Sequence, residues 1–284
     1  MGSVGVNIIA LNEAARLPRC LESVAWADEI VVVDGGSTDA TVEVARSFGA
    51  RVFIRPFDNF AAQRNYALQQ TRAEWVLSLD ADEVVTPGLK AEICRVVRSP
   101  APFPGYRVPI HSWIFGRRFR FSGTMGETKL RFFRADSARW VGAVHERVRL
   151  RGRPGSLRHP ILHFSTPDVD VFVRKMRRYS ALAATPGAKA TRVVAGAGMF
   201  VRRWVRHLGL LDGPEGLAFA LLSAWEEWHR TCTQAALDRD HADSLLLRVS
   251  RWLTGSRWRR SPALRVCSRS PFSWLEREAV RSVG

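Results

Sequence analysis

The feature that most narrows the fold is a rhythm in the first hundred residues. Four short runs rich in β-branched residues, VGVNIIAL (4–11), EIVVVD (29–34), RVFIR (51–55) and EWVLSLD (74–80), alternate with segments of helical pattern. RLPRCLESVAW (16–26) reads as a short helix. STDATVEVARSFG (37–49) opens on capping residues and closes on a glycine, the start and stop signals of a helix. FAAQRNYALQQT (60–71) and TPGLKAEICRVV (86–97) are two more, the second with Pro87 near its start, where a missing N–H costs nothing. Apolar strands separated by helices imply βαβ units. Their sheet is mostly parallel, with helices on both faces.

After residue 100 the rhythm changes. GYRVPIHSWIFGRRFRFSG and KLRFFRADSARWVGAVHERVRLRG read as hairpins with irregular loops, and ILHF (161–164) as a short strand. From Pro167 the pattern turns helical, and the last forty residues interleave Trp, Leu and Arg. The expected organisation is an α/β catalytic domain over residues 1–165, followed by a basic, Trp/Arg-rich helical region over 166–284.

Charge divides the chain in a similar way. Residues 1–100 carry a net −3 and residues 101–284 a net +19. The basic part is expected to face something anionic. Cys20, Cys94, Cys232 and Cys267 show no C-x-x-C spacing, which argues against a zinc site or disulfide framework. No apolar run approaches 18 residues, so no membrane-spanning helix is expected. The opening VGVNIIAL reads as a core strand, not as the apolar part of a secretory leader.

In open α/β sheets ligands bind beyond the carboxyl ends of the strands. There the sequence places Asn12 and Glu13 after the first strand, Asp34 at the end of the second and Asp80 at the end of the fourth, with Arg64 on the intervening helix. Asp34 and Asp39 each have a plainer reading as turn or cap residues. Asp80 and Asp82 lie two apart, so if the chain stays extended they point to the same side. Two adjacent carboxylates stay ionised together only beside a cation, and hard oxygen donors suit Mg²⁺ or Mn²⁺. Neither G-x-G-x-x-G nor a P-loop occurs, which argues against a hydride-transfer enzyme or a P-loop ATPase.

Taken together, NIIALNEAARLPRCLESVAWADEIVVVDGGSTDATVEVA, AAQRNYAL and WVLSLDADE resemble the family-2 glycosyltransferases. KLRFFRADSARWVGAVHERV, ILHFS, KMRRYSALAA and LGLLDGPEG look like the branch containing lipopolysaccharide core β-1,4-glucosyltransferases. The resemblance implies a GT-A fold and an inverting transfer from a nucleotide-sugar donor, plausibly UDP-glucose. It implies that Glu13 and Asp34 contact the nucleoside, that Arg64 helps hold the nucleotide, and that Asp80 and Asp82 form the D-x-D that binds Mg²⁺ or Mn²⁺. Leu11 stands where many relatives carry a Tyr, and Val84 where some carry a third polar ligand. His163 is a distant alternative for that ligand, although a packed strand histidine is its plainer reading. The resemblance favours Glu146 in VHERV as the base, with Glu127 as rival. The competing structural role for Glu146 is an ion pair with Arg147 or Arg149.

The expected acceptor is a glycolipid or envelope polysaccharide. Basic residues flanking Trp and Leu in RRWVRH and RWLTGSRWRR suit an anionic membrane surface, hence a cytoplasmic protein peripheral to the inner face of the membrane. The alternative class is a nucleic-acid-binding or scaffold protein without transferase activity. No helix-turn-helix, RRM or zinc-finger pattern supports nucleic-acid binding.

Overall fold

The computed structural model describes residues 2–100, 102–124, 126–142, 146–166, 169, 172 and 192–231. The readings for KMRRYSALAA and for RWLTGSRWRR lie outside the described residues. The chain forms two compact units, Met1–Ile110 with Gly126–His163, and His111–Met125 with Phe164–Gly284.

The first unit is built on β1 (Val4–Ala10), β2 (Glu29–Asp34), β3 (Arg51–Ile54) and β4 (Trp75–Asp80), adjacent in the order β3-β2-β1-β4. All three pairings are parallel, as the apolar runs and intervening helices require. The register places Ala10 opposite Asp34, and Ile9 opposite Asp80. The carboxyl ends of three strands therefore finish level, delivering Asn12, Glu13, Asp34 and Asp80 to one rim. The helices between them are α1 (Leu17–Ser23), α2 (Thr41–Ser47), α3 (Phe60–Gln70) and α4 (Pro87–Arg98).

Beyond β4 the sheet continues through β8 (Thr128–Arg134), β6 (Gly105–Ile114), β12 (Ile161–Thr166) and β5 (Glu83–Val85). β8 runs antiparallel to both β4 and β6. β7 (Arg117–Arg118) pairs antiparallel with the end of β6, and β11 (Gly155–Ser156) lies parallel to its start. β9 (Ala138–Val141) and β10 (Arg147–Leu150) form a separate two-stranded ribbon. The main core joins Ile8, Leu21, Leu77, Leu89, Ile93, Phe132 and Ile161, with Trp75 stacked on Phe132 at 5.0 Å.

Two local expectations change. α2 begins at Thr41, four residues later than the sequence suggests. Ser37 is drawn back to the Asp34 carboxylate, and Asp39 accepts the Thr41 N–H, so 37–40 form a loop that leads into the helix. β5 was not anticipated. Glu83 reads as a residue near a helix start, but it begins a strand whose partner is β12, with His163 opposite Glu83. The helix waits for Thr86, whose side chain accepts the Leu89 N–H.

In the second unit, the loop after β7 is organised by the buried Asp212 carboxylate, which accepts from Arg120 N at 3.0 Å and Ser122 Oγ at 2.7 Å. α5 (Arg192–Val201) runs into a π-helical turn (Arg202–Arg206) and a 3₁₀ turn (Gly209–Asp212) before α6 (Gly213–Thr231). The helical pattern expected from Pro167 onward is thus broken here, with Leu208 in the left-handed region at φ 52°. Phe115, Phe119, Phe219, Leu222 and Trp225 form its core. Among the described residues no helix is long and apolar enough to cross a membrane.

α4 is tied to the segment ahead of β12 through Glu92, which accepts from Arg158 N and His159 N at 3.0 and 2.9 Å and pairs with the His159 ring at 3.1 Å. Burial alone would raise its pKa, but those N–H groups and the ring together hold it below the ordinary glutamate value. A carboxylate depressed on folding stabilises above its unfolded pKa, about 4.3, and that contribution is lost as pH falls through the folded value. Glu92→Gln should therefore cost about 1–3 kcal/mol at neutral pH. It should also flatten the fall in stability expected below about pH 4.5, read by urea titrations of the parent chain and the variant.

Candidate active site

The rim at the ends of β1, β2 and β4 begins with two interlocked loops. Asn12 stands at φ 56°, a left-handed conformation that Asn tolerates better than most residues. Its N–H donates to Ser37 Oγ at 2.8 Å, and its Oδ1 accepts the Thr38 N–H at 2.8 Å. Asp34 closes the second loop on itself. Its buried carboxylate takes the N–H groups of Gly36 and Ser37 at 2.9 and 2.7 Å and the Ser37 hydroxyl. Glu13 N donates to Thr41 Oγ1 at 2.8 Å. In this geometry Asp34 shapes the DGGS loop.

From Glu13 the charges run inward. Arg16, in the turn leading into α1, grips the Glu13 carboxylate through Nε at 2.7 Å and Nη2 at 3.1 Å. Its Nη1 reaches Asp82 Oδ2 at 3.4 Å, and Asp82 Oδ1 faces His163 Nε2, also at 3.4 Å. The His163 pKa is raised: burial opposes this, but the hydrogen bond and charge of Asp82, then Glu83 and Asp80, prevail.

Asp80 lies between two buried guanidiniums. Its Oδ1 pairs with Arg64 Nη2, and its Oδ2 accepts from Arg131 Nη2 at 2.8 Å. Burial would raise the Asp80 pKa, but Arg64 and Arg131 hold it well below the usual carboxylate range. Arg64, from α3, also donates to Ser78 Oγ at 3.1 Å and Glu146 Oε1 at 3.2 Å. Its guanidinium lies 4.7 Å over the Trp140 ring, a favourable placement for a delocalised cation. The sequence-predicted Arg64, Asp80 and Glu146 are therefore joined directly. The ion pair of Glu146 is with Arg64, 82 positions earlier, not with its neighbours Arg147 or Arg149. Glu127 instead pairs with Lys129 at 3.2 Å and stands clear of this cluster.

Glu83 is fully buried beneath the D-x-D. Its Oε2 accepts the Asp80 N–H at 2.9 Å and its Oε1 pairs with Arg131 at 2.8 Å. Burial pushes its pKa up against the opposing charge of Arg131. Arg131 itself is held firmly protonated; burial works against this, but Glu83 and Asp80 overcome it. The Cys20 thiol lies 3.6 Å from the Asp80 carbonyl oxygen, and burial followed by Glu83, Asp82 and Asp80 raises its pKa. It is an inert structural thiol, not a nucleophile.

Arg16 and Arg131 are the residues that sequence reasoning passed over. Arg16 carried a usable signal, three residues after Glu13 in a short helical turn. Arg131 carried none, because only the pairing of β8 with β4 places it under Asp80.

A family model, Glycosyl transferase family 2, matches residues 6–148. The chain belongs to that family. Among curated proteins, a lipopolysaccharide core biosynthesis glycosyltransferase of Rhizobium meliloti is 27% identical over 83% of this chain and 95% of that protein. An uncharacterized glycosyltransferase of Rickettsia bellii is 44% identical over 32% of this chain and 31% of its own length. Of solved structures, S. aureus TarS 1–349 aligns over 91% of both chains with 15% identity and a TM-score of 0.41. The strand order and parallel pairings described above are the α/β architecture expected of a family-2 glycosyltransferase, with the parallel half carrying the charged rim.

Breaking a buried ion pair from one side is strongly destabilising. Arg131→Met should lower the unfolding free energy by about 3–5 kcal/mol, and the further change Glu83→Gln should restore part of that loss. Urea denaturation of both variants reads this directly. A full-stability Arg131→Met protein would show that the pair does not support the D-x-D.

Proposed function

We propose that this family-2 glycosyltransferase moves a hexose from a nucleotide-sugar donor of the UDP class, plausibly UDP-glucose, onto a lipopolysaccharide core or related envelope glycan. The observation that carries the reading is the bridge made by Arg64. One guanidinium holds both Asp80, at the donor rim, and Glu146, a partly buried carboxylate beyond the D-x-D. The likeness to the Rhizobium meliloti protein over nearly its whole length supports the acceptor class.

A divalent ion, Mg²⁺ or Mn²⁺, fits the charge of this rim. Along this rim the carboxyl groups of Glu13, Asp80, Asp82, Glu83 and Glu146 outnumber the guanidiniums of Arg16, Arg64 and Arg131. Asp82 and His163 fit best as protein ligands. Their 3.4 Å separation is close to the span between two donors on metal bonds of about 2.1 Å. The oxygens of Asp80 each accept an arginine already, and each keeps a second lone pair. Among the described residues no three such side chains converge enough to hold an ion alone. Water and donor phosphate oxygens would then complete the shell, as is usual for Mg²⁺. The bound ion would act as a Lewis acid on the departing diphosphate.

The chain's own residues do the rest. Glu146, aimed by Arg64 Nε, takes the proton from the acceptor hydroxyl as that oxygen attacks the anomeric carbon. The interlocked Asn12 and Asp34 loops and Glu13 form the edge against which the nucleoside rests. Arg64 and Arg131 keep Asp80 ionised and fixed, so alignment of the two substrates is set before they arrive.

The second unit supports docking at an anionic membrane. Val201, Val205, Leu208, Leu210 and Leu211 are all exposed within eleven residues, beside exposed Arg202 and Arg206. Apolar residues that can enter the interface, flanked by arginines, suit a peripheral protein. The acceptor chemistry would place that membrane contact on the cytoplasmic face.

A screen of nucleotide sugars, read by UDP or GDP release with Mn²⁺ or Mg²⁺, tests the donor. Asp82→Asn should abolish metal-dependent UDP binding and turnover. Glu146→Gln should leave UDP binding intact while lowering transfer by roughly 10²–10⁴-fold; normal transfer would move the base to another residue such as Glu127. Val205→Glu with Leu211→Glu should release the full chain from phosphatidylglycerol vesicles in sedimentation, leaving donor hydrolysis unchanged. Undiminished sedimentation would remove this segment from the membrane contact.

A further inference from the structure

The β9–β10 ribbon carries a charge arrangement that the transfer chemistry does not use. Arg139 on β9 lies directly opposite Arg149 on β10. Like charges facing each other across an antiparallel pair are destabilising, because their Cβ atoms stand only about 5 Å apart. Alternation along β10 puts Arg147, Arg149 and Arg151 on the exposed side, while Val148 and Leu150 pack inward with Trp140 and Phe133. Among the described residues none of these four arginines pairs with a carboxylate. The nearest acid on the ribbon, Asp136, accepts from its neighbour Ser137 at 2.8 Å. Among the described residues Asp136 offsets at most one of these four cations.

Three of them border a concavity. A cavity of about 700 Å³ is lined by Asn65, Gln69, Ser137, Arg139, Arg149 and Arg151, together with the acid Asp136. Amide and hydroxyl groups alongside guanidiniums can hydrogen-bond sugar hydroxyls and anionic oxygens in one site. The ribbon is firmly seated. The Asn65 side chain donates to Trp140 O and accepts from Trp140 N, both at 2.9 Å, and the Trp140 ring carries Arg64. β10 begins one residue after Glu146. From there the arginines extend over four residue steps, about 13 Å at strand spacing.

We propose that this arginine ribbon binds phosphate or other anionic groups on the acceptor, so that the acceptor is a phosphorylated glycan presented to Glu146 by its negative charges. This rests on the reading of Glu146 as the residue facing the acceptor. A discrete polyanion is favoured over a bilayer because the ribbon exposes no large apolar side chain, and an interfacial helix or ribbon needs one to insert. Planar bidentate recognition by arginine suits phosphate in particular.

The test uses the full chain, the Arg139→Gln/Arg149→Gln variant, and an Arg95→Gln/Arg98→Gln control that removes the same charge from α4. Inorganic tripolyphosphate at low salt should raise the melting temperature of the parent and the control, and should raise that of the ribbon variant by less than half as much. Without anion, the ribbon variant should melt no lower than the parent, because a repulsive pair has been removed. A lipid-free phosphorylated core oligosaccharide should bind the parent at least tenfold more tightly than its dephosphorylated counterpart, and the ribbon variant should lose that preference. Equal tripolyphosphate shifts in all three proteins, or no preference for the phosphorylated glycan, would overturn the proposal. So would binding of phosphatidylglycerol vesicles that depends on Arg139 and Arg149 while neither oligosaccharide binds. UDP release by the parent is followed in parallel: turnover without phosphate preference sinks the ribbon proposal alone, and phosphate preference without turnover on any donor sinks the transferase reading alone.

Discussion

The buried guanidinium of Arg64 is the interaction on which the rest of the rim depends. Taking such a charge out of water costs several kcal/mol unless its donors and its charge are met. Here Ser78, Asp80 and Glu146 take its N–H groups, and Trp140 lies beneath it. Those partners come from β4, from the residue ahead of β10, and from β9, while Arg64 itself comes from α3. One side chain therefore fixes four separate pieces of chain to a common point. Arg131 repeats the device from β8, below the same aspartate. Asp80 is consequently held by two cations from two elements, and its geometry is set by the fold before any substrate arrives.

Much of the architecture could be read from residue types. The apolar runs at 4–11, 29–34, 51–55 and 74–80 form the four parallel strands, and their level ends bring Glu13, Asp34 and Asp80 to one rim. Glu146 was also singled out, through its family likeness. Its partner was not. Proximity in sequence pointed to Arg147 or Arg149, but strand alternation carries those side chains to the exposed face while Glu146 turns toward Arg64. Arg131 and Glu83 were hidden for a related reason. A basic residue in KLRFFR gives no sign of burial, and a carboxylate after a D-x-D looks like a helix-start residue. Only the antiparallel pairings of β8 with β4 and of β5 with β12, both remote in sequence, put them together. His163 was weighed as a plain strand histidine, and that same β5–β12 pairing is what sets it against Asp82.

The uneven distribution of charge also gains a physical meaning. Part of the acidity of the first hundred residues, at Asp80 and Glu83, is met by Arg131 from outside that stretch. The surplus of basic residues further on is not spread evenly. Some are consumed by the buried rim, some lie unpaired along the ribbon, and some flank exposed apolar residues between Val201 and Leu211. A single net charge conceals three different electrostatic environments: a compensated interior, a row of like charges, and a mixed apolar and cationic surface.

The short pairing of β5 with β12 has an evolutionary consequence. Because His163 is presented by strand alternation, its direction depends on parity. A shift of one residue in this register would send Leu162 or Phe164 toward Asp82 and turn the imidazole to the opposite face. Length changes between β10 and β12 can be absorbed by the intervening loop only if that register is restored before Ile161. Within the strand, a one-residue insertion or deletion amounts to deleting the histidine, even with every nearby residue type retained. Descendants of this chain should therefore vary in length ahead of β11 more readily than in the two-residue beat that ends at His163.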